Sequence, residues 1–218
     1  MALKRLVIYD LDGTLVDTLQ DIAAATNHML GALQKPPLDE DTVRRSVGRG
    51  LRELVSGCVR TDDQALIDEG IRVWWDYYGH HLADHSHLYP SALEVLEHFK
   101  TRQQVVITNK PNPFSRQLLD TLGVARYFRH IIGPDEPYPK KPDPAVVWAV
   151  MGELRVTAEE ALLIGDSLVD IETGRNAGVL TVVLSHGLAD EAELRAARPD
   201  VIVRDFQELL DVARARHW

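Results

Sequence analysis

Two carboxylates, Asp10 and Asp12, are the residues of this 218-residue sequence whose types and spacing most clearly suggest chemistry. They follow directly on an apolar run, residues 6–9, which is typical of a short buried strand. Acids at the end of such a strand are costly to bury unless a metal or another cation compensates their charge. Gly13 comes next and permits a tight turn. The stretch therefore predicts a functional site at the end of the first strand.

Two further apolar runs also end in polar clusters. One is followed by Thr108 and Asn109, and the other by Asp166 and Asp170. Lys141 lies in a loop that leads into a predicted helix and adds a cation. Ligands of parallel α/β sheets bind at the carboxyl ends of strands, where the strand order reverses. We therefore expect these side chains to meet the first pair of acids at one edge of a sheet.

The residue types of these clusters favour phosphoryl chemistry. Two pairs of carboxylates form an oxygen-rich cage suited to Mg²⁺, which binds one or two carboxylates together with a substrate phosphate. A phosphate group fits between such a metal, a lysine, a hydroxyl and the backbone N–H groups of a turn. One carboxylate can attack phosphorus to form an aspartyl-phosphate, and a second can protonate the leaving oxygen and later deprotonate water.

The chain that positions these residues divides into a helical block and a region of alternating strands and helices. Between about residues 18 and 87 the apolar spacing is helical and gives no strand signal, whereas from residue 89 onward apolar strands alternate with helices. This alternation predicts an α/β fold with a mostly parallel sheet covered on both faces. Side-chain caps are expected at three helix starts: a capping box over residues 18–21, Ser91, and Asn112 before a proline.

Composition restricts the partners and the compartment. A net charge of -9 argues against a general nucleic-acid surface and a basic membrane patch. Cys58 is the only cysteine, and its helical spacing with Leu51 and Leu54 predicts a packed core thiol. The apolar run at residues 6–9 is too short for a signal peptide, and no segment is expected to span a bilayer. We therefore expect a cytoplasmic protein, a monomer or homodimer, without a nucleic-acid or membrane partner.

Four segments, in this order along the chain, resemble the four signatures of the haloacid dehalogenase-like superfamily. They are Asp10-Leu11-Asp12-Gly13-Thr14, Thr108-Asn109, Lys141-Pro142 and Gly165-Asp166-Ser167-Leu168-Val169-Asp170. The helical block resembles the α-helical cap of that superfamily. Within it the sequence is most similar to the phosphoglycolate phosphatase branch, through Leu15-Val16-Asp17-Thr18, Val47-Gly48-Arg49-Gly50-Leu51 and Lys140-Lys141-Pro142-Asp143-Pro144.

The resemblance implies a doubly wound parallel sheet with the opening strand at its centre. It divides the chain into an α/β catalytic core, residues 1–16 and 88–218, and an inserted α-helical cap, residues 17–87. It also implies a Mg²⁺-dependent phosphatase that hydrolyses a small phosphorylated metabolite, similar to phosphoglycolate, through an aspartyl-phosphate intermediate. The second acid of the first signature argues against a dehalogenase. Thr14, expected to help bind the substrate, favours hydrolysis because phosphomutase relatives often carry an apolar residue there.

By the same resemblance, Asp10 is the expected nucleophile and Asp12 the expected general acid and base. Mg²⁺ would bind Asp10, the backbone carbonyl of Asp12, and Asp166. Asp170 would support either the metal ligands or the lysine.

The phosphoryl group would be held by Thr108 and Asn109. Lys141 would neutralise the nucleophile and the phosphate, and it is preferred to Lys140 because the family's lysine directly precedes the proline. One departure from the family pattern is Ser91, which stands where relatives usually have glycine.

Several alternatives stay open on the sequence alone. The protein could be a sugar phosphomutase, a pyrophosphatase-like enzyme, or a non-catalytic protein that binds a phosphorylated ligand. Arg49 could reach a carboxylate of the substrate or be a surface arginine in a turn, and neither is favoured. The histidines between the helical block and the core could form a metal site, although solvated side chains are favoured. They are His80, His81, His85 and His87.

Overall fold

The computed structural model describes residues 3–134 and 137–218. In these residues the chain forms eight strands: β1 Leu6–Tyr9, β2 Val16–Asp17, β3 His87–Leu88, β4 Gln103–Ile107, β5 His130–Ile132, β6 Ala161–Gly165, β7 Leu180–Leu184 and β8 Val201–Val203. The same residues form ten α-helices: α1 Leu19–Ala32, α2 Glu40–Arg44, α3 Leu51–Val59, α4 Gln64–His81, α5 Ala92–His98, α6 Asn112–Thr121, α7 Ala145–Leu154, α8 Leu168–Ala177, α9 Glu191–Ala196 and α10 Phe206–Ala215. No helix among them is long and apolar enough to cross a bilayer.

Six of the strands form one parallel sheet in the order β5-β4-β1-β6-β7-β8. The opening strand β1 is central and fully buried, as predicted. Its alternate side chains face different apolar cores, because Val7 and Tyr9 join one core cluster while Leu6 and Ile8 join another. The α/β fold with both sheet faces covered is confirmed. The strand order reverses beside β1, which places a ligand site at its carboxyl end.

The helical block, α1 to α4, is inserted between β2 and β3. These two short strands pair antiparallel, with Val16 opposite Leu88 and Asp17 opposite His87. The two chain segments that connect the block to the sheet therefore run side by side. Helices α1 and α4 pack along each other and bury the apolar stripes that their helical spacing predicts. Cys58 on α3 is a buried free thiol, as expected, and burial raises its pKa.

The capping box predicted over residues 18–21 is wrong. Thr18 makes no side-chain bond at the start of α1; its hydroxyl instead donates to the Asp12 carboxylate, 2.7 Å away. The Asp21 carboxylate accepts hydrogen bonds from the backbone N–H groups of His85 and Ser86 and from the Ser86 hydroxyl. Both side chains thus have tertiary partners, which fasten the first turn of α1 to the site and to the segment after α4.

Ser91 is the N-cap residue of α5, as predicted, but its side chain forms no cap, and the cap predicted at Asn112 is misplaced. Ser91 has a left-handed backbone (φ 61°) and makes no side-chain bond to α5. Glycine adopts a left-handed backbone most easily, which is a physical reason for the glycine that the family resemblance implies at this position. Helix α6 begins at Asn112, so its N-cap is Pro111, one residue earlier than predicted.

Candidate active site

The carboxyl ends of β1 and β6 bring three buried carboxylates together. Asp10 directly follows β1, Asp166 follows β6, and Asp170 lies in the first turn of α8. One oxygen from each lies within 4.8 Å of the others. Carboxylate oxygens in this arrangement suit a hard divalent cation such as Mg²⁺. Three acids predicted from two separate strand ends are therefore neighbours in space.

Glycines make room for these acids. A Cβ atom at Gly13 (φ +81°) or at Gly187 would overlap the Asp166 carboxylate group. A Cβ atom at Gly165 would overlap Asp170 in the same way. The backbone can therefore approach the acidic cluster closely from three sides, and at Gly13 the left-handed backbone also favours glycine.

Lys141 provides the positive charge of the cluster. Its Nζ lies 2.9 Å from Asp10 Oδ1 and 2.7 Å from Asp170 Oδ1, and it is buried. Burial alone would lower the pKa of Lys141, but the charges of Asp10 and Asp170 outweigh burial and raise it. The neighbouring Lys140 points away, toward the helical block. Of the two lysines, Lys141 is the one that the structure brings into the cluster, as the resemblance predicts.

The acids outnumber this cation. Burial raises the pKa of Asp10 to about 6, against the opposing charge of Lys141. Burial also raises the pKa of Asp166 well above its ordinary value, and the charges of Asp170 and Asp10 add to that shift. A bound divalent cation would lower the cost of ionising these buried carboxyl groups. The oxygen donors and the excess negative charge therefore both fit Mg²⁺.

Asp166 and Asp170 are held by neighbouring groups. Thr14 Oγ1 donates to Asp166 Oδ1 at 2.7 Å, and the Leu188 N–H donates to Asp166 Oδ2 at the same distance. Asp170 accepts Lys141 Nζ on one oxygen and the Ser167 hydroxyl on the other. Thr14 therefore orients a candidate metal ligand, whereas the family resemblance implied that it helps to bind the substrate. Of the two roles left open for Asp170, its contacts favour support of the lysine.

The Asp12 carboxylate points away from the acidic cluster. Its Oδ1 accepts hydrogen bonds from Thr18 Oγ1 at 2.7 Å and from Lys110 Nζ at 3.0 Å. Asp12 is accordingly absent from the carboxylate group that could hold a metal in the described part of the chain. Its predicted contribution to a metal is confined to the backbone carbonyl. Asp10 and Asp12 thus lie two residues apart but have different surroundings, as two distinct chemical roles require.

Lys110 is a further site residue, and its role was not predicted from the sequence. Its side chain is buried, and its Nζ donates to Tyr78 Oη at 2.6 Å as well as to Asp12. Burial alone would lower the pKa of Lys110, but Asp12 and Tyr78 outweigh burial and raise it. The available signal was its position directly after Thr108 and Asn109. Its partners were not predictable, since they lie 98 and 32 residues away.

Asn109 and Lys140 connect the core to the helical block. The Asn109 amide donates to the Gly48 carbonyl at 2.9 Å and exchanges two hydrogen bonds with the backbone of Lys141. Lys140 Nζ donates to the Arg49 carbonyl at 2.9 Å and forms an ion pair with Glu53. Asn109 was expected to hold a phosphoryl group. Its hydrogen bonds instead fasten the loop before α3 to the Lys141 backbone beside the site.

An open cleft of about 910 Å³ reaches the acids from outside, and its wall includes Arg49 of the helical block. A smaller cavity of about 40 Å³ adjoins Asp10 and Asp12. Apolar side chains from α3 and α4 form much of the lining of this smaller cavity, with Thr108 and Lys110 on the core side. The site therefore has a wide entrance and a narrow, largely apolar recess beside the two signature acids.

The histidines at the end of α4 and just after it are not part of a possible metal cluster in the residues that the structure describes. His81 Nδ1 lies 2.7 Å from Asp84 Oδ2, and His87 Nδ1 lies 3.0 Å from the His85 carbonyl. Within residues 3–134 and 137–218, the group of three or more possible ligands is the Asp10, Asp166 and Asp170 cluster. This arrangement agrees with the interpretation of these histidines as solvated side chains.

Comparison with known proteins identifies the class that this fold and site define. Residues 7–184 match the family described as haloacid dehalogenase-like hydrolase. The chain belongs to that family.

Similar proteins narrow the class to phosphatases. The chain is 37% identical over 218 residues to a phosphoglycolate phosphatase of Pseudomonas putida, across 95% of this chain and 79% of the relative. It is 35% identical to a phosphoglycolate phosphatase of Vibrio parahaemolyticus, across 95% of each chain. A solved structure described as a predicted phosphoglycolate phosphatase from Haemophilus somnus 129PT superposes with a TM-score of 0.92 at 29% identity, covering 98% of this chain and 99% of that one. The protein is accordingly a phosphatase.

Proposed function

We propose that the protein is a Mg²⁺-dependent phosphomonoester hydrolase that forms a phosphoryl intermediate on Asp10. The observation that carries the proposal is the position of the Asp10 carboxylate at the switch point of the sheet. This carboxylate contacts Lys141, which also contacts Asp170, and one of its oxygens lies within 4.8 Å of oxygens of Asp166 and Asp170. A carboxylate placed there can attack the phosphorus of a bound monoester while a buried cation offsets the charge.

Residues of the chain supply the other parts of the reaction. Lys141 neutralises the phosphoryl oxygens and the nucleophile. Asp12, turned toward the recess lined by Lys110, protonates the leaving oxygen in the first step and removes a proton from water in the second. Thr108 and the backbone N–H groups of residues 11–14 bind the phosphoryl oxygens.

Mg²⁺ would be held by Asp10, by the carbonyl of Asp12 and by Asp166, with Thr14 and the Leu188 N–H keeping Asp166 in place. When bound, the metal supplies Lewis-acid stabilisation of the phosphoryl charge.

The proposed substrate is a small phosphorylated metabolite similar to phosphoglycolate. The names of the similar proteins support this substrate, and so does the narrow recess beside Asp10 and Asp12. Residues 17–87 act as a cap over the core, which comprises residues 1–16 and 88–218. The bonds from Asn109 and Lys140 to the carbonyls of Gly48 and Arg49, in the loop before α3, are consistent with a closed cap that excludes water.

The activity is tested by a screen of phosphorylated metabolites, including 2-phosphoglycolate, with detection of free phosphate in Mg²⁺ and in chelator. We expect Mg²⁺-dependent phosphate release. β-Glucose 1-phosphate is included because a mutase would convert it to an isomer without releasing phosphate. Binding of a phosphomonoester without turnover of any substrate would favour the non-catalytic alternative.

Mg²⁺ should stabilise the protein more at pH 7.5 than at pH 5. The raised pKa values of Asp10 (about 6) and Asp166 mean that the metal-free native protein retains protons that the unfolded chain, with carboxyl pKa near 3.9, has released. This cluster therefore destabilises the metal-free fold as pH rises from about 4 to 6. At pH 7.5 and a Mg²⁺ concentration about 100 times Kd, thermal unfolding should shift upward by about 5–10 °C.

The shift should be clearly smaller at pH 5, where protons compete for the same carboxylates, and it should disappear in Asp166→Asn. An equal shift at both pH values in the wild type would contradict the proposed metal site.

A further inference from the structure

Lys110 is buried within contact of one carboxylate and one phenol. Its side chain is 2% exposed, and its Nζ donates to Asp12 Oδ1 at 3.0 Å and to Tyr78 Oη at 2.6 Å. The ammonium also lies 4.4 Å from the centroid of the Tyr78 ring. Burying a lysine is costly, and the cost is recovered only through good pairing geometry. Lys110 contacts Asp12, the proposed general acid and base, whereas Lys141 contacts Asp10 and Asp170. The two buried lysines are therefore expected to have different functions.

The two donors to Asp12 come from opposite sides of the site. Thr18 precedes α1 at the entry to the cap, whereas Lys110 follows β4 in the core. Both donate to Oδ1, so Oδ2 is the carboxylate oxygen that neither of them engages. Hydrogen bonds to one oxygen fix the orientation of the carboxylate, and the second oxygen can then exchange a proton at a defined position. The pair of donors thus selects which oxygen of Asp12 meets the leaving group.

Tyr78 in turn fixes Lys110 from the cap. Tyr78 is fully buried on α4, stacks on Trp74 with 4.4 Å between ring centroids, and meets Phe114 edge-on at 5.3 Å. Phe114 belongs to α6 of the core. The hydroxyl of Tyr78 is therefore held at the cap–core boundary by aromatic packing on both sides, and it reaches the lysine from there.

We propose that Lys110 is a positioning residue that holds the Asp12 carboxylate in its proton-transfer orientation, and that Tyr78 makes this orientation dependent on the seated cap. The inference rests on the proposed function, in which Asp12 is the general acid and base. It assigns Lys110 a task separate from phosphate binding. The cap would complete the acid–base machinery as well as cover the substrate.

The leaving group provides a test specific to this role. An alkyl alkoxide leaves poorly without a proton, whereas p-nitrophenolate is a weak base that leaves without one. A residue that acts through Asp12 should therefore matter for an alkyl phosphate and matter little for p-nitrophenyl phosphate. The relevant parameter is kcat/KM, which covers the steps up to transfer of the phosphoryl group to the enzyme and excludes hydrolysis of the intermediate.

The experiment compares Lys110→Met, Lys110→Arg and Tyr78→Phe with the wild type on 2-phosphoglycolate and p-nitrophenyl phosphate in Mg²⁺. Lys100→Met and Tyr77→Phe are matched controls, since Lys100 is an exposed lysine and Tyr77 is the neighbouring tyrosine on α4. We expect Lys110→Met to lower kcat/KM for 2-phosphoglycolate about 100-fold through kcat, and for p-nitrophenyl phosphate less than about 5-fold. Tyr78→Phe should show the same selectivity at about 10-fold, and Lys110→Arg should restore part of the loss.

Three outcomes would overturn the proposal. The first is an equal loss on both substrates, which indicates a general structural role. The second is unchanged activity. The third is a rise in KM for 2-phosphoglycolate with unchanged kcat, which assigns Lys110 to binding a second anionic group of the substrate. If Lys110→Met does not fold, the Tyr78→Phe and Lys110→Arg comparisons decide. Failure of the wild type to hydrolyse either substrate would instead contradict the proposed function.

Discussion

The Asp10→Asn variant should lose turnover by at least about 10⁴-fold, because an amide cannot form the phosphoryl intermediate. The fold should survive the change. Lys141 keeps its 2.7 Å contact with Asp170, and the substitution removes a carboxyl group whose ionisation is costly in the metal-free protein. The measurement is phosphate release from 2-phosphoglycolate at saturating Mg²⁺, together with a thermal unfolding curve for each protein.

Asp143→Asn is a matched control for this prediction. Asp143 is an exposed acid in the loop just after Lys141, and its side chain accepts the Ala145 N–H, which asparagine can also do. The control should retain full activity. Substantial Mg²⁺-dependent activity in Asp10→Asn would rule out Asp10 as the nucleophile.

The second large effect is expected for Lys141→Met. Removal of the ammonium should lower kcat about 10²- to 10³-fold, because the transferring phosphoryl group and the nucleophile lose their buried cation. Three acids would then remain without it, so the metal-free variant should also lose about 3–5 kcal/mol of stability. Steady-state kinetics and chemical denaturation in chelator measure the two effects separately.

Lys140→Met separates the two adjacent lysines. Lys140 contacts the Arg49 carbonyl and Glu53 in the helical block, so its removal should loosen the packing of that block over the site without depriving Asp10 of a partner. We expect a modest rise in KM and little change in kcat. A loss of kcat equal to that of Lys141→Met would mean that the motif lysine had been assigned to the wrong neighbour.

The parts of the site at strand ends could be predicted from the sequence. Asp10 and Asp166 were predictable because each follows an apolar run that identifies a strand, and parallel sheets collect ligands at one edge. Lys141 lies in a loop, and its choice over Lys140 came from the family resemblance. The central position of β1 and the inserted helical block followed from the same pattern and from the family resemblance. Side-chain partners were less predictable, since Thr14 contacts Asp166 from 152 positions away.

The failed helix caps have the same explanation. Thr18 and Asp21 match a capping box by spacing, yet each found a stronger partner across the fold, in Asp12 and in the backbone of residues 85 and 86. Ser91 was interpreted as a cap from its residue type, but the turn requires a left-handed backbone there. Local propensity is a weak guide where the chain passes between the helical block and the sheet, because tertiary contacts determine the conformation.

The most direct test of the account is chemical trapping of the intermediate. The wild-type enzyme is quenched during turnover of 2-phosphoglycolate with Mg²⁺, treated with borohydride, digested and analysed by peptide mass spectrometry. Borohydride reduces an aspartyl-phosphate to homoserine, so we expect homoserine at position 10 only in samples that contained substrate and Mg²⁺. Turnover without modification at position 10, or with homoserine at position 12 instead, would contradict it.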